Sequence, residues 1–459
     1  MYEIDFHKPI HIHFIGIGGI SMSGLARIVL QEGFTVSGSD NAKGELTEDL
    51  KKNGATIYIG QRASNITPDI DVAVYTAAIR ENNPEFKACL EQNIPLLSRA
   101  EFLGQLMKNY KYPIAVSGTH GKTTTSSLMS EILLSNDTDP TLSIGGILKS
   151  IEGNVRIGHS DYFLTEACEY TNSFLSFFPK YGVILNIEAD HLDFFKDLDD
   201  IRSSFRKFAA LLPEDGILVI NGEIKNVEEI TADTKAKIVT FGINGTFDYY
   251  ATDITYNESG YPRYMLHTPD GETYPVSLNV IGFHNVYNSM AALALAHQMK
   301  FDLAGAIEAA GRCGGADRRF EVKGHLGSIT VVDDYAHHPT EIKATLNAAQ
   351  KYPHSEIWCI FQPHTYSRTK ALLTDFADAF CMADHVVLAE IYAARETDTL
   401  GISSKDLMKE IEKRGTDCHY FHTFSEIENF LLQSCNPNDL LITMGAGDVV
   451  KIGESLLGL

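Results

Sequence analysis

The chain has 459 residues, of which 44% are hydrophobic and 21% charged, and it carries a formal charge of −22 at pH 7. Its length exceeds what one hydrophobic core organises, so several domains are expected, and no apolar run approaches the roughly 20 residues needed to span a bilayer. The acidic balance excludes a broad nucleic-acid partner, which would show itself as a basic stripe, so any nucleotide contact must be local.

Residues 1–10 carry Glu3, Asp5, His7 and Lys8 ahead of a strand-like run, unlike the basic start and apolar middle of a secretory signal, and a cytoplasmic protein is expected. The seven cysteines (Cys89, Cys168, Cys313, Cys359, Cys381, Cys418, Cys435) are odd in number and scattered, without a Cys-x-x-Cys pair. That pattern argues against a disulfide framework or a thiolate metal site.

From His11 to about Tyr110, strand-like runs (His11–Gly16, Thr35–Ser39, Asp71–Thr76) alternate with helical stretches (Ser23–Glu32, Pro84–Gln92), a wound β/α pattern. A second series begins at Pro113 with the apolar run Ile114–Val116, a glycine turn, a helix over Lys122–Leu134 and strands at Tyr162–Glu166 and Val183–Ile187. Between Asp248 and Val280 the sequence turns to Tyr- and Thr-rich alternation with turns at Glu258-Ser259-Gly260 and Pro269-Asp270-Gly271, which predicts an antiparallel insert; a helix over Val286–His297 follows. After Arg319 a third β/α series carries strands at Ser328–Asp333, Ile357–Gln362, Val386–Glu390 and Leu440–Met444. The expected domains are residues 1–110, 111–318 and 319–459. The fold class is α/β: a Rossmann-like first domain, a central phosphate-loop ATPase-type parallel sheet with a small antiparallel insert, and a Rossmann-like third domain.

The most informative segment is Val116-Ser117-Gly118-Thr119-His120-Gly121-Lys122-Thr123-Thr124-Thr125, between an apolar strand and a helix. Glycines let backbone N–H groups converge on an anion, the helix start adds a positive dipole, Lys122 reaches terminal phosphates and Thr123 is suited to Mg²⁺. The generic eight-residue motif wants glycine where Val116 stands, so a plain glycine turn is the alternative. A second cluster, Gly16-Ile17-Gly18-Gly19-Ile20-Ser21-Met22, also joins strand to helix, with Asp40 ending the next strand. Ser21 replaces the third glycine of Gly-x-Gly-x-x-Gly, which leaves NAD, another nucleotide diphosphate, or mere close packing.

Thr165-Glu166-Ala167-Cys168-Glu169 and Asn186-Ile187-Glu188-Ala189-Asp190-His191-Leu192-Asp193 end strands, where open α/β sheets bind ligands, and suit Mg²⁺ held against phosphates unless they are solvated strand caps. His284 and Asn285 head a helix and read equally as an N-cap, and Arg318 with Arg319 equally as a solvated linker. His337 and His338, adjacent on one element and without a third ligand, do not make a zinc site.

Taken together, these segments resemble the Mur ligase family over nearly the whole chain. The resemblance is carried by Gly16-Ile17-Gly18-Gly19 with Met22-Ser23-Gly24, Gly118-Thr119-His120-Gly121-Lys122-Thr123-Thr124, Asn186–Asp193, His284-Asn285-Val286-Tyr287-Asn288, Arg318-Arg319-Phe320, Asp333–Thr340, and Phe361–Thr369. It implies an ATP-dependent ligase of peptidoglycan precursor synthesis that phosphorylates the carboxylate of UDP-N-acetylmuramate and joins L-alanine to it, acting as a monomer or homodimer with Mg²⁺, or Mn²⁺ in its place. By the same resemblance, Lys122 would steady the phosphoryl group, with Gly118, Thr119, His120, Gly121 and Thr124 around it, and Thr123, Glu166 and His191 would bind metal. Asn285 and Asn288 would sit near the adenine, and Arg319 and Asp334 at ATP phosphate and ribose. Gly16, Gly18, Gly19, Ser21 and Met22 would cradle the UDP diphosphate, with Asp40 near the uridine end. Tyr335, His337, His364 and Arg368 would face the muramate and amino-acid end. Two positions depart from the family pattern: Glu-Ala-Asp-Glu-Ser-Asp reads Glu166-Ala167-Cys168-Glu169-Tyr170-Thr171, and Thr365 stands where many relatives carry arginine.

Overall fold

A computed structural model describes residues 2–191, 194–243, 245–394 and 396–459. Leu192 and Asp193, which close the Asn186–Asp193 segment, lie outside the described residues. The chain forms two compact units, one of Met1–Phe241 with Ala291–Asp302, the other of Gly242–Met290 with Leu303–Leu459.

The first unit begins with a parallel sheet of β1 (His11–Ile15), β2 (Thr35–Asp40), β3 (Thr56–Ile59), β4 (Val72–Tyr75) and β5 (Leu96–Ser98), in the order β3-β2-β1-β4-β5. β1 stops at Ile15 because Gly16 turns the chain with φ +85°. The helix that follows, Ile20–Gln31, starts three residues earlier than its apolar pattern suggests. β3 and β5 are short and only partly buried, so they give too little alternation to be seen in sequence. Helix Pro84–Glu91 begins where Asn83 accepts from the N–H groups of Glu85 and Phe86 and Pro84 fills the first position. Helix Arg99–Met107 is started by a Ser98–Glu101 capping box.

The same unit then carries β6 (Tyr112–Ser117), β7 (Thr141–Leu148), β8 (Gly153–Arg156), β9 (Tyr162–Ala167), β10 (Tyr181–Ile184), β11 (Ile217–Asn221) and β12 (Lys237–Ile243), in the order β12-β11-β10-β6-β9-β7-β8. All pairs with printed register run parallel except β7 with the edge strand β8. Strand β10 ends at Ile184, short of the expected Ile187, because Asn186 spends its backbone and side chain on the neighbouring glycine loop.

One continuous apolar core runs from Ile12, Phe14 and Phe102 through Leu106 to Phe163, Phe174, Phe205 and Phe208. Helix Arg99–Met107 reaches the Tyr170–Ser176 turn through Gly104: a Cβ there would lie 1.9 Å from the Ser176 carbonyl oxygen. Residues on both sides of position 110 thus contribute to one apolar core. Hydrophobic burial at ~25 cal/mol per Å² makes such a shared core the main adhesive between the two sheets.

The second unit holds the expected antiparallel insert as three strands, β13 (Tyr249–Tyr256), β14 (Pro262–His267) and β15 (Thr273–Ser277). Its larger sheet has the order β16-β17-β21-β18-β19-β20, from β16 (Glu321–Leu326), β17 (Ile329–Asp334), β18 (Ile357–Phe361), β19 (His385–Leu388), β20 (Asp417–Tyr420) and β21 (Leu440–Met444). Only the edge strand β16, which the sequence did not announce, runs antiparallel. Register sets Asp334, Met444 and Phe361 side by side, so the loops after β17, β21 and β18 leave from one edge. Among the described residues no helix is long and apolar enough to cross a membrane, and no disulfide is formed.

Candidate active site

Strand β6 delivers the Gly118–Gly121 loop to the carboxyl edge of its sheet. Gly118 has φ +142°, and a Cβ on it would lie 2.9 Å from Leu185 Cβ; Gly121 caps the Lys122–Ser135 helix at φ +86°. Only glycine takes both positions without strain. Asn186 clamps the loop from β10: its Oδ1 accepts from the His120 N–H at 2.8 Å and its Nδ2 donates to the His120 carbonyl at 3.0 Å. Thr119 donates its N–H to the Asn186 carbonyl and accepts from the Glu188 N–H through Oγ1. A cavity of about 850 Å³ is lined by Asn186 and Glu188 together with Arg202 and Arg206.

Lys122, the first residue of the helix, turns its ammonium back over the loop. Nζ donates to the carbonyls of Gly118 (2.5 Å) and Thr119 (2.9 Å) and to Glu169 Oε2 (3.0 Å). Burial opposes its charge, but the Glu169 carboxylate, with Glu166, more than reverses this and raises its pKa. Glu166 stands level with Val116 in the β6–β9 register; its Oε2 accepts from Thr123 Oγ1 (3.2 Å) and its Oε1 from the Gly145 N–H (2.7 Å). Thr124 is buried in the same turn.

His191, at φ +53°, lies tilted against the Tyr170 ring at 4.5 Å, and its Nε2 lies 3.9 Å from Glu169 Oε1 and 3.7 Å from Asp190 Oδ2. Glu169 is thus what joins His191 to the phosphate loop, a role that fell to no residue in the sequence reading. It is 2% exposed, and its buried Oε1 has no hydrogen-bond donor among the described residues. A buried carboxylate oxygen left without a donor fits a hard divalent cation. Mg²⁺ takes few protein oxygens and leaves the rest of its coordination to phosphate and water. Cys168, between Glu166 and Glu169, is kept a neutral thiol by burial.

The first glycine loop is held from β2. The Ser39 carbonyl accepts from the N–H groups of both Gly16 and Ile17 (2.9 Å each), and Asp40 Oδ2 accepts from the Gly18 N–H (2.9 Å). A Cβ on Gly18 would lie 2.8 Å from Asp40 Oδ2, which demands glycine there. Gly19 caps the Ile20–Gln31 helix without a side-chain hydrogen bond, so the first N–H groups face outward, as at anion-binding helix starts. Met22 is 2% exposed and packs inward, so its contribution to a loop site is its backbone. Ser21 accepts from Arg99 Nη1 at 3.0 Å. Arg99 escaped the sequence reading; the Ser98–Glu101 capping box marks its helix start but not its direction. Burial lowers its pKa.

In the second unit, Asn285 and Asn288 are buried on helix His284–Gln298. Asn285 Nδ2 donates to the Ile281 carbonyl and Asn288 Nδ2 to Asn285 Oδ1, both at 2.8 Å, so they form a fixed pair rather than an N-cap. Arg318 is no solvated linker: it donates to Asp333 Oδ2 (2.8 Å) and to the carbonyls of Gly445 and Gly447. Asp334 accepts from the N–H groups of Phe320 and Ala336 (2.8 Å each), and burial pushes its carboxyl up to about 6 against the pull of Arg319. Arg318 and Arg319 both lie over the Tyr335 ring, at 5.1 and 5.6 Å.

His337 and His364 approach at 5.8 Å, and Arg368 Nη1 lies 3.2 Å from His364 Nδ1. Arg368 thus supplies a guanidinium one turn after Thr365, which caps its helix at φ +67°. His338 instead caps helix Pro339–Ala349, so the two adjacent histidines diverge. Burial, then His337 and Arg368, lower His364 to about 4, which keeps it neutral with an acceptor for Arg368. The neutral imidazole adds stability fully present above the unfolded pKa near 6.5 and lost as pH falls toward about 4. The His364 ring resonances, assigned by their loss in His364→Gln, should therefore not move between pH 8 and 6; titration near 6.5 would contradict this placement.

A strand, a glycine loop and a helix headed by a charged lysine define the phosphate-loop class of α/β protein. Three segments match family descriptions in succession: "Mur ligase family, catalytic domain" over residues 11–111, "Mur ligase middle domain" over 116–296 and "Mur ligase, glutamate ligase domain" over 318–447. The chain belongs to the Mur ligase family and is an ATP-dependent ligase. It is 58% identical over 457 residues to the UDP-N-acetylmuramate–L-alanine ligase of Agathobacter rectalis, and 56% identical over 458 residues to that of Lachnospira eligens, with 100% of both chains covered each time. Among solved structures it resembles the UDP-N-acetylmuramate-alanine ligase MurC of Thermotoga maritima (TM-score 0.81, 31% identity, 98% of both chains). It also resembles a murein peptide ligase of Psychrobacter arcticus (TM-score 0.71, 25% identity, 98% of both chains).

Proposed function

We propose that this protein joins L-alanine to UDP-N-acetylmuramate at the expense of ATP, through an acyl phosphate, in the cytoplasm. Full-length identity of 58% with a ligase of that name supports the choice of substrates, and the Lys122 ammonium over the glycine loop carries the chemistry. The muramate carboxylate oxygen attacks the γ-phosphorus, the bond to the β-phosphate oxygen breaks and ADP leaves. The alanine nitrogen then attacks the acyl carbon, loses a proton, and the tetrahedral intermediate expels phosphate. This sequence requires no protein nucleophile, only cations at the transferring group and reactants held together.

In this reading Lys122 neutralises the phosphoryl oxygens while Gly118–Thr124 present N–H groups to the triphosphate. Thr123, Glu166 and His191, to which Glu169 is added, would hold Mg²⁺ or Mn²⁺, which would supply neutralisation of phosphate charge. Gly16 and Gly18 shape the turn in which Gly19, Ser21 and Met22 receive the UDP diphosphate through backbone, with Arg99 as its counter-cation and Asp40 toward the uridine. Asn285 and Asn288 serve adenine, Arg319 and Asp334 the ATP phosphate and ribose, and Tyr335, His337, His364 and Arg368 the muramate and alanine. The proposed domains are residues 1–110, 111–318 and 319–459, in a monomer or homodimer. ADP release measured with UDP-N-acetylmuramate and each of L-alanine, other amino acids and a murein tripeptide tests the substrate assignment. L-Alanine is expected to give the highest kcat/KM; no turnover with it beside turnover with another amine overturns the assignment.

A further inference from the structure

Beneath the first glycine loop lies a carboxylate that no step of the reaction uses. Glu85, in the first turn of helix Pro84–Glu91, is fully buried. Its Oε2 accepts from Ser39 Oγ at 2.5 Å, and its Oε1 accepts from Asn65 Nδ2 at 2.6 Å and more weakly from the Arg62 N–H at 3.4 Å. His13 Nε2 stands 3.8 Å from Oε2, and His13 Nδ1 shares Ser37 Oγ with His11. Burial raises the Glu85 pKa, but His13, Ser39 and Asn65 outweigh it and hold the carboxyl below its ordinary value.

Burying a charge costs several kcal/mol, and apolar replacements of buried ion pairs are often neutral or stabilising, so stability is a weak reason for this group. Its position supplies a better one. Ser39 has two functions on two sides: its hydroxyl is fixed by Glu85, and its carbonyl takes the N–H groups of Gly16 and Ile17. The next residue, Asp40, takes the Gly18 N–H. Three consecutive N–H groups of the loop are therefore registered on residues 39 and 40, and the peptide of Ser39 is registered on Glu85. The approach is close: a Cβ on Gly38 would lie 2.6 Å from Ile17 Cδ1 and 2.7 Å from the Phe14 carbonyl, so only glycine fits where β2 passes β1 and the loop.

We propose that Glu85 and Ser39 form a positioning relay that sets the shape of the Gly16–Gly19 loop for the diphosphate of the UDP-sugar. The inference rests on the assignment of that loop to the UDP-sugar. Neither side chain touches the ligand; the relay acts by fixing where the loop's outward N–H groups point, and small misplacements of such donors cost affinity steeply. It predicts an effect confined to one substrate of the three.

Ser39→Ala removes the tether while changing little volume, and Glu85→Gln keeps the shape while removing the charge. Steady-state constants for UDP-N-acetylmuramate, ATP and L-alanine, with calorimetric titration of UDP-N-acetylmuramate, read the outcome. Ser39→Ala should raise KM and Kd for the UDP-sugar about tenfold, leaving kcat and the other two KM values within about twofold. Glu85→Gln should shift the same constant in the same direction, and the double variant should match Ser39→Ala alone, because the carboxylate acts only through the hydroxyl. Should Glu85→Gln fail to fold, the split among the three KM values in Ser39→Ala decides. Equal binding by wild type and Ser39→Ala, or a uniform change in all constants, overturns the relay. Absence of UDP-sugar binding by the wild type overturns the loop assignment instead.

Discussion

Lys122→Ala is expected to lower kcat about a thousandfold or more, because it removes a preformed cation from the place where phosphoryl charge develops. The geometry adds a second consequence. Glu169 is 2% exposed and donates its charge to an ion pair with Lys122 at 3.0 Å, so truncating the lysine leaves a buried carboxylate without its partner. Breaking a buried pair this way costs on the order of 3 kcal/mol. Lys122→Ala should therefore melt lower than the wild type, and Glu169→Gln placed in the same chain should restore the melting temperature without restoring turnover. If ADP release by Lys122→Ala stays within tenfold of wild type, the lysine does not serve the phosphoryl group. If the second change leaves the melting temperature unmoved, the ion pair does not bear on stability.

Gly104→Ala should be strongly destabilising for the first unit. Its Cβ would lie 1.9 Å from the Ser176 carbonyl oxygen and 2.9 Å from the Ser176 carbonyl carbon. Both are backbone atoms, so no rotamer change relieves the clash and the helix must move. Overpacking of this kind costs about 3 kcal/mol, which lowers the transition of a unit this size by roughly 5–10 °C. The same helix carries Arg99 at its start, 3.0 Å from Ser21 in the first glycine loop. Its displacement should also raise the KM for the UDP-sugar. A calorimetric scan of Gly104→Ala superimposed on the wild type would show that the helix and the Tyr170–Ser176 turn are not in the contact described.

The phosphate loop was legible in sequence because its chemistry is local. Strand, glycines, lysine and helix are contiguous from Tyr112 to Ser135, and every role rests on backbone conformation that glycine alone permits. Glu166 was legible for the same reason, as a carboxylate ending a strand. Its neighbour Glu169 was not, since choosing between the two requires knowing which one turns under Lys122 and which one faces Thr123. Arg99, Glu85 and Ser39 stayed hidden because their partners are distant in the chain: Arg99 meets Ser21 across 78 residues and Glu85 meets Ser39 across 46. The short strands Thr56–Ile59, Leu96–Ser98 and Asp417–Tyr420 escaped because so few residues carry no readable period.

What the sequence determined by itself was the succession of β/α series, the two glycine loops, the antiparallel insert and the kinship of the chain, all properties of contiguous residues. Tertiary structure alone decided that the first two sheets share one core, that Arg318 is locked onto Asp333 rather than solvated, and that Glu169 closes the ammonium pocket. The physical reason is common to all three. Burial and pairing are set by which surfaces meet when strands take their order in a sheet, and that order places side by side residues whose separation along the chain carries no trace of it.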